Sequence, residues 1–406
     1  MNLNFHIVYI SYDGLSDPLG QSQIIPYILR LSRKQHFNFT IISFEKKDFY
    51  RKKQLKIQKA LLREDINWRP VFYTKTPPIL STIFDLIKLK NSINKILKHR
   101  KVDIIHSRGY ISSIVALNFK KNNNIPFIFD MRGWWADEKL ESGNWDSFIF
   151  KYVYKYFKKK EIGFFKNADK IISLTNVGKK EIIVNNWSKE KKIGVIPTCV
   201  DFKIFPKYSF KTRENIRRKL NILEQAKVLV YSGSLGGNYD FSDFAIIFKY
   251  FLDQSLCNKI LIISKSSKNY ILQQIDKYSI EKNRIIHINS DFNNVYKYLQ
   301  ASDIGLILYK NTYSTIGRSP TKLGEYWASG LPIVSLNGIG DLESIIRKYP
   351  FGGQLLNEIK SENLKDILDE IIHNSDKKKL RIAAKEYFHI EDGVKFYANI
   401  YKEIIN

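Results

Sequence analysis

Short runs of β-branched and aromatic residues alternate with amphipathic helical stretches along this chain, and they do so in two series. The first series places strand-like runs at residues 5–10, 39–44, 71–73, 103–106, 126–129, 170–173 and 193–196. The second places them at 227–231, 259–263, 284–288, 304–308 and 332–335. Strands this short and this continuously apolar are buried on both faces, which calls for parallel pairing through helical crossovers. The expected class is α/β, with two doubly wound domains. Pro197 and Pro206 bracket a segment without helical period. A first domain is therefore predicted over 1–200 and a second over 201–385. The stretch 386–406 reads as an aromatic helix that packs back on the first domain. In sheets wound this way, ligands bind outside the carboxyl ends of the strands, here expected along a central cleft that the two domains face.

The 44% hydrophobic content of the 406 residues supports packed cores rather than disorder. No run approaches the roughly 18 apolar residues of a membrane span, and the N-terminus reads as a first strand rather than a signal peptide. Two cysteines, Cys199 and Cys257, are too few for a disulfide framework or a zinc cluster, and the seven histidines show no His-Glu-x-x-His spacing. A cytoplasmic protein without metal or cofactor is expected. The net charge is +26, and it is unevenly placed: residues 1–200 carry 36 basic and 17 acidic side chains, a net of +19. A uniform lysine bias would spread that excess evenly. A basic first half attracts nucleic acid, anionic lipid head groups or phosphorylated substrates.

One stretch of the second half is built for an anion. In Ser319-Pro320-Thr321-Lys322-Leu323-Gly324-Glu325-Tyr326-Trp327-Ala328-Ser329-Gly330-Leu331-Pro332-Ile333-Val334, Ser319 suits an N-cap and Pro320 the first helical position. Gly330 and Pro332 end the helix and a strand follows. The open N–H groups, the positive end of the helix dipole and Lys322 together make a phosphate site. Glu325, one turn deeper on the same side, is placed for ribose hydroxyls. Helices that begin Ser-Pro without binding anything are the plain alternative.

Other candidates lie at strand ends. The loop through Gly14 and Gly20 after the first strand enters a helix, as a phosphate-approaching turn does, or is a simple turn. Tyr231-Ser232-Gly233-Ser234-Leu235-Gly236-Gly237-Asn238-Tyr239 is its counterpart in the second domain; its glycine spacing fits neither a dinucleotide fingerprint nor a P-loop. Asp130-Met131-Arg132-Gly133-Trp134-Trp135 follows the fifth strand. There Arg132 can face a diphosphate and the tryptophans can stack on a sugar, or the charges can form an internal salt bridge. His106 and Arg108 end the fourth strand, His106 reading more readily as a core histidine than as a base. The aromatic, lysine-rich stretch 145–160 can lie in a membrane interface or cover a sheet.

With these residues in view, the chain resembles the GT-B glycosyltransferases, in particular the retaining family GT4. The segment from Ser319 to Val334 is similar to that family's Pro-Thr-Lys-Leu-x-Glu-Tyr-x-Ala-x-Gly-x-Pro-Val signature. Val195-Ile196-Pro197, Val200-Asp201, Ala301-Ser302-Asp303-Ile304 and the Gly20 loop support it, and the Asp-Pro-Leu-Gly-Gln-Ser-Gln run is similar to a bacterial capsule and polysaccharide subgroup. The resemblance implies two Rossmann-like domains facing a cleft. It implies sugar transfer from a nucleotide-sugar donor, UDP- or GDP-linked, to a glycan or lipid-linked acceptor in cell-surface polysaccharide synthesis. Donor-side residues would be Gly20, Gly233, Arg318, Ser319, Pro320, Thr321, Lys322 and Glu325. Glu325 corresponds to the second glutamate of the family's Glu-x7-Glu motif; Gly317 stands where the first would be. Arg132 falls where relatives carry a histidine near the reacting sugar, and Arg132, Arg318 and Lys322 would supply charge for the departing diphosphate without a metal. His106, Arg108, Asp130 and Trp134 would line the acceptor or sugar side. The departing phosphate would help take the acceptor's proton. The basic first domain would rest on an anionic inner leaflet, with no nucleic acid as partner. A GT-B sugar-nucleotide epimerase and a basic nucleic-acid-binding protein are the alternatives.

Overall fold

The computed structural model describes residues 5–35, 37–235, 241–358 and 364–405. The first half runs β1 (His6–Ser11), α1 (Pro18–Gln23), α2 (Ile25–Gln35), β2 (Asn38–Glu45), α3 (Lys47–Leu62), β3 (Asn67–Phe72) and α4 (Leu80–Leu97). It continues β4 (Ile104–Arg108), α5 (Tyr110–Asn123), β5 (Phe127–Asp130), α6 (Trp135–Glu141), α7 (Phe148–Asn167), β6 (Lys170–Ser173), α8 (Asn176–Val184) and β7 (Ile193–Val195). The second half runs α9 (Phe210–Lys219), β8 (Val228–Ser232), α10 (Phe241–Asp253), β9 (Lys259–Ile263), α11 (Lys268–Lys277), β10 (Ile285–Ile288) and α12 (Val295–Gln300). Then come β11 (Ile304–Ile307), α13 (Thr321–Ala328), β12 (Ile333–Leu336), α14 (Leu342–Lys348), β13 (Gly353–Leu356), α15 (Leu364–Asn374), α16 (Lys377–Phe388) and α17 (Ile390–Ile405).

Two compact units result. Unit 1 comprises Met1–Pro197, Ile316–Arg318 and Ile390–Asn406; unit 2 comprises Thr198–Thr315 and Ser319–His389. Each unit holds one sheet, of order β3-β2-β1-β4-β5-β6-β7 and β10-β9-β8-β11-β12-β13 respectively. Every strand pair is parallel. The fold is thus α/β with two Rossmann-like doubly wound units. Central strands are buried on both faces, as in β1 and β8, because helices cover both sides. The strand order reverses between β1 and β4 and again between β8 and β11, and ligands seat at the carboxyl ends of such switch points.

One strand escapes the sequence pattern. β13, Gly-Gln-Leu-Leu, is a half-buried edge strand that opens on a glycine and has too few β-branched residues to register as a run. β3 begins earlier than its apolar run because Asn67, Trp68 and Arg69 pair with β2 at the exposed edge. The aromatic stretch near Trp145 covers the sheet with only part of its apolar surface. α7 sends Phe157, Phe164 and Phe165 into the core of unit 1, while Phe148, Ile149, Tyr152 and Tyr156 stay exposed.

α17 belongs to unit 1 and packs against α2. Glu391 near its start pairs with Arg30 and Lys34, and Glu403 near its end pairs with Lys170. Its buried face carries Tyr397 and Tyr401.

Candidate functional site

In unit 2 the α13 segment is fixed over the switch point by its aromatic side chains. Tyr326 occupies the space beside Gly305 on β11, where an added Cβ would lie 2.4 Å from the ring. Its hydroxyl accepts from Ser232 N–H at the end of β8, at 2.9 Å. Trp327 Nε1 donates to Gly352 O at 2.8 Å. Gly324 lies where a Cβ would meet Val200 at 2.6 Å, so the helix approaches the start of unit 2 closely. Gly330, at φ +78°, ends it in a left-handed turn.

Lys322 and Glu325 project from the same side of α13, with Lys322 Nζ 2.6 Å from Glu325 Oε2. Glu325 is buried, and Lys322 keeps part of its side chain in solvent. A partly exposed ammonium backed by a buried carboxylate can meet an anion outside and hydroxyls below. The helix begins one residue later than its sequence suggests. Thr321 is the first helical residue, Pro320 takes the cap position, and no side chain caps the helix. Ser319 is engaged elsewhere: its Oγ accepts from Thr198 N–H at 3.1 Å, and Thr198 Oγ1 donates to Ser319 O at 2.9 Å. The expected Ser319 cap is therefore replaced by a clamp on the strand of chain entering unit 2. That leaves the first-turn N–H groups of α13 without a side-chain cap.

Gly233 follows β8 and donates its N–H to Ile263 O at 3.0 Å. A Cβ there would lie 2.6 Å from Tyr231 Oη, so the glycine lets the tyrosine hydroxyl pack close to the backbone. Gly236 to Tyr239 lie outside the described residues.

In unit 1 the Gly20 loop is shaped from within. Gly20 is buried in α1, and a Cβ would lie 2.1 Å from Gly14 O. The glycine is required by the loop's own packing, whatever else the loop meets. Glu45, fully buried at the end of β2, accepts from Leu15 N–H at 2.7 Å, Ser16 N–H at 3.1 Å and Ser43 Oγ at 2.6 Å. It was not singled out in the sequence, although an acid closing the apolar run Asn-Phe-Thr-Ile-Ile-Ser-Phe was a visible signal.

The carboxyl ends of β4 and β5 bring His106, Arg108, Asp130 and Arg132 together. Asp130 is completely buried and accepts from Tyr397 Oη at 3.0 Å. His106 Nε2 lies 3.5 Å from Asp130 Oδ2, and its Nδ1 meets Tyr401 Oη at 2.6 Å. Arg108 NH1 and Arg132 NH1 each stand 3.8 Å from an Asp130 oxygen. Burial alone would raise the Asp130 carboxyl; the Arg132 charge, then His106 and the Arg108 charge, outweigh it and hold its pKa at about 2. Burial drives the His106 imidazole below its ordinary value against the pull of Asp130. His106 and Asp130, at 0% exposure, are braces beneath the arginines rather than sugar contacts. Arg132 sits at φ +58°, uncommon for a side-chain-bearing residue, and Gly133 follows at φ +113°. This turn holds Arg132 partly exposed against Asp130. Tyr397 and Tyr401 carried no sequence signal, since their partners lie more than 250 positions away.

Trp134 does not face a sugar. It is 1% exposed, with its ring edge-on to Phe165 and Trp187. It also explains the missing first glutamate. A Cβ on Gly317 would lie 2.8 Å from Trp134 Cδ1 and 3.2 Å from Gly133 Cα. The indole fills the room that a side chain at 317 would need. The surrounding tripeptide is held within unit 1: Thr175 Oγ1 donates to Ile316 O at 2.7 Å, and Arg318 pairs with Glu138 at 3.1 Å.

Residues 20–203 match Glycosyltransferase Family 4 and residues 212–387 match Glycosyl transferases group 1. The chain is a GT4-like glycosyltransferase of the GT-B fold. Among solved structures, a glycosyltransferase from Rickettsia africae superposes with TM-score 0.68 at 17% identity, over 100% of this chain and 99% of its own. Anabaena Alr3699/HepE, solved in complex with UDP and glucose, superposes with TM-score 0.67 at 13% identity, over 98% and 99%. Sucrose-phosphate synthase from Thermosynechococcus elongatus gives TM-score 0.73 at 14% identity, over 99% of each chain. A search of curated proteins by sequence finds no match. In this GT4-like glycosyltransferase Glu325 is buried and paired with Lys322, and position 317 is a glycine packed against the Trp134 indole.

Proposed function

We propose that this glycosyltransferase binds a UDP-linked sugar on unit 2 and transfers the sugar, with retention, to a lipid-linked glycan in cell-surface polysaccharide assembly. The observation that carries the donor assignment is the Lys322–Glu325 pair on an N-terminally uncapped α13. Lys322 and the first-turn N–H groups would take the diphosphate, and the buried Glu325 carboxylate would take the ribose hydroxyls. The UDP and glucose bound by the Anabaena protein of like fold favour uridine as the base. In the reaction, the bond from the anomeric carbon to the diphosphate oxygen breaks as the acceptor oxygen bonds to the same face. The acceptor's proton passes to the departing phosphate. Charge growing on that phosphate is what the α13 start and Lys322 would stabilise.

The strongly basic first half suits a phosphorylated, lipid-linked acceptor at an anionic membrane face. No described helix is long and apolar enough to cross a membrane. A thermal-shift panel of UDP-, GDP-, ADP- and CMP-sugars tests the donor. A UDP-sugar is expected to raise the melting temperature most. Glu325→Gln should weaken it by about 10- to 100-fold, the worth of a hydrogen bond to a charged group. Unchanged affinity in that variant would remove Glu325 from the donor site.

A further inference from the structure

The first two turns of α4 are amphipathic in the inverted sense. Their buried face carries Ser81 and Asp85, while Leu80, Ile83, Phe84 and Ile87, spaced i, i+3, i+4 and i+7, point to solvent at 52, 48, 56 and 50% exposure. Such a stripe ordinarily faces a core. Here the helix cannot roll to bury it, because Asp85 is locked below. The Asp85 carboxylate accepts from Tyr12 Oη at 2.9 Å, Thr74 N–H at 3.1 Å and Thr74 Oγ1 at 2.7 Å, and Lys88 lies 3.0 Å away. Rolling the helix inward would strip a buried charge of its Tyr12 and Thr74 partners. Ile79, at the cap, holds φ +69°, a costly conformation for a β-branched residue, and its side chain is also exposed.

α7 repeats the pattern with Phe148, Ile149, Tyr152 and Tyr156, at 70, 64, 60 and 46% exposure. The connections β3 to β4, β4 to β5 and β5 to β6 cross the sheet in one direction. Right-handed crossovers therefore put α4, α5 and α7 on one face of it, and α5 packs against both neighbours. Each exposed stripe occupies the start of its helix, on the carboxyl-edge side of the sheet. Both thus lie on one outer layer near one edge of unit 1.

The charge around the stripes selects the occupant. Residues 66–84 contain no Asp or Glu, nor do residues 147–160. Exposed Lys75 and Lys90 flank the α4 stripe, and exposed Lys151, Lys155 and Lys159 alternate with the α7 aromatics. A second copy would bring these lysines against their own kind, and a nucleic acid has no use for an aliphatic stripe. We propose that the first turns of α4 and α7 form a shallow docking surface for an anionic lipid bilayer. Their apolar side chains enter the head-group boundary, and their lysines meet lipid phosphates. The proposal builds on the membrane partner inferred above and is independent of the donor assignment.

Vesicle co-sedimentation tests it, with phosphatidylcholine alone or mixed with phosphatidylglycerol. Wild type is expected to bind the anionic vesicles only. The variant Leu80→Gln/Ile83→Gln/Ile87→Gln should bind about 100-fold more weakly, and neutralising Lys151 or Lys155 should cost about fivefold each. These side chains are exposed, so the variants should keep the wild-type melting temperature and its response to sugar nucleotide. Cys199 and Cys257 are both buried, so a polarity-sensitive dye on a Phe84→Cys variant reports one position. Its emission should shift to the blue on anionic vesicles. Binding unchanged in the triple variant, or a dye that does not shift, would overturn the assignment. So would a wild-type dimer that the triple variant converts to monomer without any vesicle binding. A wild type unmoved by every sugar nucleotide would sink the donor reading alone, because vesicle binding does not pass through it.

Discussion

At the scale of single residues, the most telling position is Gly317. The family pattern calls for a glutamate there, and its absence reads from sequence as an unexplained gap. The structure supplies the cause: Trp134 and Gly133 occupy the space, and Thr175 and Glu138 hold the residues on either side. Gly317→Glu is therefore expected to lower the unfolding free energy, by about 1–3 kcal/mol from overpacking, without raising transferase activity. Trp134→Leu in the same chain should recover part of that loss. Chemical denaturation of the two single variants and the double variant measures the coupling, and strict additivity would exclude a shared space. Lys322 and Glu325 were legible because both lie in one short helix, where spacing fixes which side chains meet. Trp134 was misread because a loop tryptophan looks available until the residues that cover it, Phe165 and Trp187, are brought in by tertiary folding.

At the scale of elements, strands and helices followed from periodicity almost throughout, and α17 was visible as an aromatic helix. Its purpose was not, since nothing local says that Tyr397 would reach Asp130 and Tyr401 would reach His106. The Asp130 carboxyl is depressed from 3.8 to about 2 in a setting of Arg132, His106, Arg108 and Tyr397. A depressed carboxylate stabilises the fold above its unfolded pKa, and that contribution is lost as pH falls through the folded value. Here it amounts to something of order 2 kcal/mol, present above about pH 4 and gone near pH 2. Asp130→Asn should thus lower the melting temperature most at neutral pH. The gap from wild type should narrow between pH 4 and 2, and a gap independent of pH would show that the charge contributes nothing.

At the scale of the whole molecule, two parallel sheets with separate apolar cores underlie a transferase assembled from two units. Calorimetry is expected to show two unfolding transitions, of which a saturating sugar nucleotide raises only that of unit 2. At about one hundred times the dissociation constant the gain is about 2.7 kcal/mol, or about 5–10 °C for a unit of this size. A single transition, or an equal rise in both, would contradict this. The two-part organisation was plain in the alternating runs, yet the division is not a single cut in the sequence. Ile316–Arg318 is covalently part of the second half and structurally part of unit 1. A chimaera that exchanges everything beyond Pro197 for the same stretch of a relative would import a foreign tripeptide against Trp134, and a native-like glutamate there would have no room. A recombinant built from this chain therefore carries a compatibility rule: the Trp134 indole and Gly317 travel together.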